Sequence, residues 1–332
     1  MKHLILLLAM FCLFIAAGMI IAGCGNSVDS LESVGELKPR DEWQLQALEG
    51  NNVTFLEPDG DGILIGTGEG LFQLKEGQFF DLGLSEYEMR GAVRMENNDI
   101  IAAVLTPDAS SGDVTIFKRK DAGNSWEPFL NDYGGENRIT FIFTLKSVST
   151  SLDTLLAMAS GPLIARSVNG GNNWEVENGN DWGSYAGYGT FIYSDPVNNN
   201  LIWAGGVTGI SSPSLFKSED RGQNWLRISG LNNSGDATTY DAISSLENSN
   251  WVLVGFGGSF ASANNIKKTT DGGETWEISL AETGVHAFTR SISNPNLIFA
   301  SGRDPSTNLF FAFTTDFGET WEKEIFTEGP EV

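Results

Sequence analysis

A polar turn that ends in tryptophan recurs along this chain and constrains its fold more than any other feature of the sequence. The clearest copy is Thr269–Trp276, and the general pattern is Ser/Thr-x-Asp-x-Gly-x-Thr/Ser/Asn-Trp. The six copies lie at 73–80, 119–126, 167–174, 218–225, 269–276 and 314–321. The second copy has Arg119 at its first position and the third has Asn169 at the Asp position. The first is degenerate, with Phe80 in place of Trp.

The spacing of the turns indicates a repeat architecture. Counted from one Asp position to the next, the steps are 46, 48, 51, 51 and 45 residues, and the sequence between the turns is strand-like. The positions counted are Lys75, Asp121, Asn169, Asp220, Asp271 and Asp316. A period of this length is typical of a β-propeller, in which each repeat forms one four-stranded blade.

The residue types of the turn have physical reasons. An Asp or Asn side chain accepts hydrogen bonds from backbone N–H groups just ahead of it and so holds the turn. The Trp places a large apolar side chain beneath the turn, where burial of about 150–250 Å² stabilises the fold. We therefore expect a structural role for Asp121, Trp126, Asn169, Trp174, Asp220, Trp225, Asp271, Trp276, Asp316 and Trp321.

These turns closely resemble the Asp-box, the BNR repeat of bacterial neuraminidase-type propellers. Sortilin-type receptors, some xyloglucan-cleaving enzymes and the photosystem II assembly-factor family share it. The resemblance covers about residues 43–326. It implies an all-β propeller in which the box turn joins the third and fourth strands of each blade, away from any active centre. It does not by itself imply an activity.

The segments between the turns predict the strands of each blade. A first strand follows a polar start, and the second strand is a short continuous apolar run, as expected for a strand buried on both faces. This gives six blades, at 51–83, 87–130, 138–179, 187–231, 239–280 and 285–326. A further strand-like segment around Trp43 lacks a box and is expected to flank or complete the last blade, so seven blades is the alternative.

The N-terminus carries a targeting segment. Lys2 is followed by an apolar run from Leu4 to Ile21, and Ile21-Ala22-Gly23-Cys24 matches the bacterial lipobox. We expect a lipoprotein signal peptide at 1–23, lipidation of Cys24, a tether at 24–40 and a propeller at 41–332. An uncleaved transmembrane anchor is the alternative. The expected location is the cell envelope, with the propeller outside the cytoplasm.

The composition excludes several classes of function. The two cysteines, Cys12 and Cys24, both lie in the N-terminal segment, so the propeller has no thiol for a disulfide, a zinc site or catalysis. His286 is the only histidine after His3. Without Lys2 the chain has 43 acidic and 19 basic residues, a net charge of −24, which repels nucleic acids. We expect a monomer with no cofactor, no metal site and no nucleic-acid partner.

The channel mouth is the expected position of a ligand. In propellers it is built from the segments before the first strand and after the second strand of each blade. This mapping predicts ligand contacts from Arg90, Arg138, Tyr240, Asp241, His286 and Arg303. The glycine-rich connection 178–189 adds Trp182, Tyr185 and Tyr188, whose rings suit stacking on a sugar or an extended peptide. The alternative is that these rings plug the channel.

The predicted function is a binding or scaffold module for a protein segment or a glycan. A glycan-active hydrolase of the sialidase-like kind is the alternative. That family has an early Arg-Ile-Pro motif, which this sequence lacks, and a Tyr-Glu pair beside three arginines, which is not recognisable here. A general glycosidase needs two carboxylates about 5–9.5 Å apart, a spacing that the sequence does not reveal. The sequence therefore leaves enzyme activity undecided, with a non-enzymatic role favoured, and we assign no catalytic residue.

Overall fold

The structure, a computed structural model, describes 52–60, 62–105, 114–120, 123, 125–130, 142–148, 151–159, 163–177, 187–208, 212–229, 231, 237–258, 264–291 and 294–326. These residues form twenty-four strands and no helix. Four consecutive antiparallel strands make up each of six sheets, which we call blades 1 to 6 in chain order. The predicted all-β class and the six four-stranded blades are thereby confirmed.

Each blade uses its strands in chain order. The first strands are β1 (Val53–Asp59), β5 (Glu88–Arg94), β9 (Ile142–Val148), β13 (Gly187–Ser194), β17 (Ala237–Ser244) and β21 (Gly284–Arg290). The second strands are β2 (Gly62–Thr67), β6 (Ile100–Leu105), β10 (Ser151–Ala159), β14 (Ile202–Thr208), β18 (Val252–Gly258) and β22 (Ile298–Arg303). The third strands are β3 (Gly70–Lys75), β7 (Val114–Arg119), β11 (Leu163–Ser167), β15 (Ser212–Ser218), β19 (Asn265–Thr269) and β23 (Leu309–Thr314). The fourth strands are β4 (Gln78–Gly83), β8 (Trp126–Leu130), β12 (Glu175–Glu177), β16 (Leu226–Arg227), β20 (Glu277–Ala281) and β24 (Glu322–Phe326).

The first strands lie on the inside of the molecule and the fourth strands on the outside. First strands of consecutive blades contact one another, from β1 beside β5 to β17 beside β21. The fourth strands β4 and β24 are exposed over most of their length. We call the space that the first strands border the channel. Its mouth is the end at which the first strands begin and the second strands finish.

The core consists of layers between neighbouring blades. The apolar second strands supply much of it, and β2 is buried at every position. Blades 4 and 5, for example, share a cluster that includes Phe191, Trp203 and Phe256, with Trp276 packed edge-on to Trp203 at 6.2 Å. Equivalent clusters join blades 1 and 2, 2 and 3, 3 and 4, and 5 and 6. This burial on both faces explains why the second strands are continuous apolar runs.

The turns that mark the repeat have the same hydrogen bonds in blades 3 to 6. In blade 5, Thr269 Oγ1 donates to Asp271 Oδ1 (2.7 Å), which also accepts from the backbone N–H of Thr275 (2.9 Å). The backbone N–H of Gly273 donates to Thr269 Oγ1 (2.9 Å). Matching bonds are present at 167–173, 218–224 and 314–320. Hydrogen bonds from Thr275 hold the pKa of Asp271 below its usual value.

A cation just before each of three turns reaches the turn of the following blade. Arg166 Nε donates to the carbonyl oxygen of Arg221 (2.9 Å), and Lys217 Nζ donates to that of Gly272 (3.2 Å). Lys268 Nζ pairs with Glu319 and lies over the rings of Trp251 and Phe317. The turns therefore connect neighbouring blades as well as neighbouring strands.

The predicted blade limits agree with the structure to within a few residues. The predicted signal segment, the tether and the Trp43 strand lie outside the described residues, as does Asp121. Within the described ranges, no helix is long and apolar enough to span a bilayer.

Candidate functional site: the channel and its mouth

Every first strand carries a β-bulge near the mouth. In β17, Thr239 pairs with Phe256 and Asp241 pairs with Gly255, so Tyr240 has no partner in the ladder. The six bulged residues are Thr54, Arg90, Phe143, Thr190, Tyr240 and His286. A bulge bends the strand and re-aims a side chain. The predicted mouth residues include three of these six, but the bulges themselves leave no signal in the sequence.

Three predicted mouth residues come together between blades 5 and 6. The rings of Tyr240 and His286 lie 4.7 Å apart at 39°. Tyr240 lies against Gly257, where a Cβ would stand 3.0 Å from the ring. Partial burial lowers the pKa of His286, and the nearby positive charge of Arg303 lowers it further. His286 and Arg303 both reach solvent, and Arg303 Nη1 donates to the carbonyl oxygen of Thr307 (2.6 Å).

Asn264 belongs to the same region, although it was not predicted. It immediately precedes β19 and is 7% exposed, and its Oδ1 atom accepts no hydrogen bond. Its side chain lies against Gly284, where a Cβ would meet Asn264 Nδ2 at 3.4 Å and the carbonyl oxygen of Arg303 at 3.0 Å. We call Tyr240, Asn264, His286 and Arg303 the mouth cluster. The Asn264-Asn265 pair before an apolar residue resembles an ordinary polar connection and gives no sequence signal for this position.

Asp241 follows the bulge in β17 but points towards blade 6 rather than joining the mouth cluster. Its Oδ2 accepts from the backbone N–H of Phe288 (2.7 Å), and its Oδ1 accepts from that of Ala242 (2.9 Å). Burial raises the pKa of Asp241 to about 6, although these N–H donors and the charge of Lys146 act in the opposite direction. A carboxyl group near neutral pKa is able to donate or accept a proton under mild conditions.

A lysine from blade 3 forms an ion pair with a carboxylate from blade 1. Lys146 in β9 pairs with Glu57 in β1, and its charge also acts on the pKa of Asp241 in β17. Blade 2 separates the strands of Lys146 and Glu57 in sequence, so this contact spans the channel. Neither Lys146 nor Glu57 was predicted. The available signal was a charged residue inside a first strand, alone in β9 and together with Asp59 in β1.

The end of the channel opposite the mouth is held by hydrogen bonds between first strands. Arg94 donates from Nε to Asp59 Oδ1 (2.6 Å) and from Nη2 to Asp59 Oδ2 (2.9 Å), which joins blades 1 and 2. The hydroxyl groups of Tyr193 and Ser244 lie 3.1 Å apart and join blades 4 and 5. Burial raises the pKa of Tyr193 above its usual value. The charges at this end are therefore compensated within the protein.

The remaining predicted contacts are dispersed or lie outside the described residues. Arg90 is in blade 2, where its Nη2 pairs with Glu88 (2.9 Å). Tyr188 pairs with Val207 through the backbone, and the structure describes only the backbone of this residue. Arg138, Trp182 and Tyr185 lie outside the described residues, so a binding platform and a plug both stay predictions. Within the described ranges, no group of three His, Cys, Asp or Glu residues is placed to hold a metal ion.

Comparison with known proteins was made by sequence and by structure. No protein-family model matches the chain, and no curated protein matches it. Among solved structures, a GH74 enzyme from Niastella koreensis aligns with a TM-score of 0.59 and 18% identity over 83% of this chain and 45% of that one. YCF48 bound to D1 peptide aligns with a TM-score of 0.58 and 14% identity, over 82% of each chain.

The neighbours share a fold with this chain. YCF48 from Cyanidioschyzon merolae aligns with a TM-score of 0.57 and 9% identity, over 82% of this chain and 85% of that one. These structural likenesses confirm the β-propeller. At these low sequence identities, the likenesses are evidence for a shared fold and not for a shared function. The chain spans less than half the length of the Niastella enzyme, whereas it matches most of both YCF48 structures.

Proposed function

We propose that this protein is a lipid-anchored, extracytoplasmic propeller that binds a segment of a partner protein at its channel mouth. The box turns and the lipobox at Cys24 support an assignment to Asp-box lipoproteins. In this assignment the turns hold the blades, the lipid on Cys24 holds the protein at the membrane, and the mouth carries the recognition. A glycan is the alternative ligand.

One observation favours binding over hydrolysis. Glycosidases use two carboxyl groups with room for the sugar and, in inverting enzymes, a water between them. In this channel Lys146 forms an ion pair with Glu57, and its charge acts against the raised pKa of Asp241. Glu57 is therefore already engaged in an ion pair, which suits a structural contact better than one member of a catalytic pair.

The structural neighbours agree with this choice. The YCF48 structure that holds a D1 peptide matches over 82% of both chains, so the shared part is nearly the whole of each propeller. The GH74 likeness involves only 45% of the Niastella enzyme. A whole-chain likeness to a peptide-bound propeller supports the peptide-binding proposal more directly than a partial likeness to an enzyme does.

Binding is tested with the full-length protein purified in detergent. Immobilised protein is incubated with an array of peptides from cell-envelope proteins, a glycan array and a panel of glycosides. We expect retention of peptides, reduced by Trp182→Ala and Tyr188→Ala. Leu226→Ala, an exposed residue on the outer strand β16, serves as the control. Retention of glycans alone, or turnover of a glycoside, would contradict the proposal.

The anchor has its own experiment. Cells grown with a labelled fatty acid should incorporate the label into the wild-type protein and lose it with Cys24→Ser, because a lipoprotein signal modifies only that cysteine. The wild-type protein should fractionate with membranes after cleavage of the signal. A labelled Cys24→Ser protein, or a wild-type protein that keeps residues 1–23, would reject the anchor.

A second candidate function is glycoside hydrolysis, which one observation favours. The pKa of Asp241, raised to about 6, would suit a general acid. If this function operates, Asp241→Asn should abolish turnover in the glycoside panel while leaving ligand retention intact. Turnover that survives this substitution would exclude Asp241 as the acid.

A further inference from the structure

We infer that the mouth cluster between blades 5 and 6 binds a carboxylate of the partner peptide, with Arg303 as the principal donor. The inference rests on the proposed function and specifies the chemistry of its ligand. It places recognition on Tyr240, Asn264, His286 and Arg303 rather than on the channel interior.

Arg303 differs from Arg90 and Arg94, two other arginines near the channel, in having no carboxylate partner among the described residues. Arg90 pairs with Glu88 and Arg94 pairs with Asp59. Arg303 is exposed, and no carboxylate of the described residues lies within ion-pair distance of its guanidinium group. The neighbouring Asp304 is directed into its own turn, where its carboxylate accepts from Asn308 N (2.7 Å) and Nδ2 (3.0 Å).

A guanidinium group presents paired N–H donors that match the two oxygens of a carboxylate. In Arg303, one nitrogen is used by the carbonyl oxygen of Thr307, which fixes the side chain and leaves the other donors free for a ligand. The neighbouring His286 adds an imidazole that reaches solvent. Arg303 therefore supplies charged N–H donors at the mouth, with no carboxylate of the described residues paired to them.

Asn264 adds a buried hydrogen-bond acceptor, which needs a donor from the ligand. Its buried Oδ1 atom lacks a donor, and an unsatisfied buried acceptor costs about 1–3 kcal/mol. The Asn264 side chain lies against Gly284, beside the backbone carbonyl of Arg303. A carboxylate carried next to an N–H, as in a peptide, would match both. The Tyr240 and His286 rings, 4.7 Å apart, provide an apolar wall beside it.

The charge of the whole protein makes this site distinctive. A net charge of −24 after loss of the signal repels anions from most of the surface. An acidic peptide that binds this protein must therefore find local donors strong enough to overcome that repulsion. The expected interaction is specific for the mouth cluster and does not depend on a general electrostatic attraction.

The experiment uses full-length protein in detergent and rhodamine-labelled octapeptides of Gly-Ser repeats ending in Glu-Ala. One peptide has a free C-terminus, one is amidated, and one is amidated with Gln in place of Glu. Fluorescence anisotropy should show binding of one or both carboxylate peptides and no binding of the neutral one. The free and amidated forms distinguish a chain-terminal carboxylate from a side-chain carboxylate.

The variants test the residues. Arg303→Gln should weaken binding about tenfold or more, because a hydrogen bond to a charged group is lost. Arg303→Lys should restore part of it, and Asn264→Leu should weaken it by a smaller factor. Lys323→Gln removes the same charge from the exposed strand β24 of the same blade and should have no effect. Melting temperatures confirm that each variant is folded.

Three results would overturn the inference. Equal weakening by Arg303→Gln and Lys323→Gln would indicate a general charge effect. If the neutral peptide binds as tightly as the acidic ones, the site does not recognise a carboxylate. If no octapeptide binds at millimolar concentration, the mouth cluster is not a peptide-binding site. If the array retains peptides and Arg303→Gln does not change that retention, the proposed function is supported but this inference is rejected. An empty array would reject the function itself.

Discussion

At the scale of single residues, the turns of blades 3 and 4 form a natural comparison. Both have Ser at the first position and Asn at the seventh, and they differ in Asn169 and Asp220. Asp220 accepts from Asn224 through both oxygens, from the backbone N–H (2.7 Å) and from Nδ2 (2.6 Å). Asn169 Oδ1 accepts from Ser167 Oγ (3.1 Å) and from the backbone N–H of Asn173 (2.8 Å), but its other terminal atom is an N–H donor and does not accept from the Asn173 side chain.

We predict that Asn169→Asp stabilises the protein and that Asp220→Asn destabilises it. One hydrogen bond is gained or lost in each case, so each change should be about 1 kcal/mol in the free energy of unfolding. Chemical denaturation at neutral pH measures both. Because the two turns share the Ser and the Asn that hydrogen-bond to this position, shifts in the same direction would contradict the explanation.

The raised pKa of Asp241 predicts a pH dependence of stability. The folded pKa of about 6 exceeds the unfolded value of 3.8, so the native state favours the protonated form. Its stabilising contribution is complete below about pH 4 and is lost as the pH rises through 6. Asp241→Asn should therefore gain stability relative to wild type, by about 2–3 kcal/mol, between pH 4 and pH 8. Parallel melting curves across this range would contradict the prediction.

The sequence revealed the turn residues but not the contacts of the channel. The residues of each turn interact within eight positions, so their pattern is visible in a single copy and is reinforced by repetition. Lys146 and Glu57 are 89 positions apart, and their contact exists only because three blades converge. The bulge at Tyr240 inserts one extra residue into β17 relative to its partner strand β18. No particular residue type marks such a position in the sequence.

At the scale of the elements, close approach of neighbouring first strands limits the side chains they carry. Gly91 in β5 lies against Leu145 in β9, where an added Cβ would stand 2.7 Å from the backbone nitrogen and 2.8 Å from the Cβ of Leu145. The contact requires glycine in one strand so that blades 2 and 3 approach. The sequence predicted a first strand in each of these blades, but not this contact.

Gly91→Ala should cost about 1–3 kcal/mol of stability, because the methyl group forces the two strands apart. Gly68, at the mouth end of β2, has no atom within 4 Å of an added Cβ and is the matched control. Gly68→Ala should leave the midpoint of urea denaturation almost unchanged. Similar losses for both variants would mean that strand separation is not the cause.

At the scale of the whole molecule, the contact across the channel couples blades that are not neighbours in sequence. Lys146→Met would leave Glu57 and Asp241 without their shared cation. Loss of one partner from a partly buried pair is more costly than loss of both. We expect Lys146→Met to destabilise the protein by a few kcal/mol and Glu57→Gln to restore part of that loss in the double variant. Strict additivity in this double-mutant cycle would show that the pair is not coupled.

The aligned bulges separate recognition from architecture. Each bulged residue stands outside the ladder pairing, and Thr190 alone among the six is shown to donate from its side chain to the partner strand, from Oγ1 to the carbonyl oxygen of Gly205 (3.1 Å). A lineage, or a laboratory library, is therefore able to vary the other five codons around one opening while the scaffold that displays them is unchanged. The positions to randomise are 54, 90, 143, 240 and 286. The side chains that form the recognition surface can therefore be exchanged without inserting a loop into the chain.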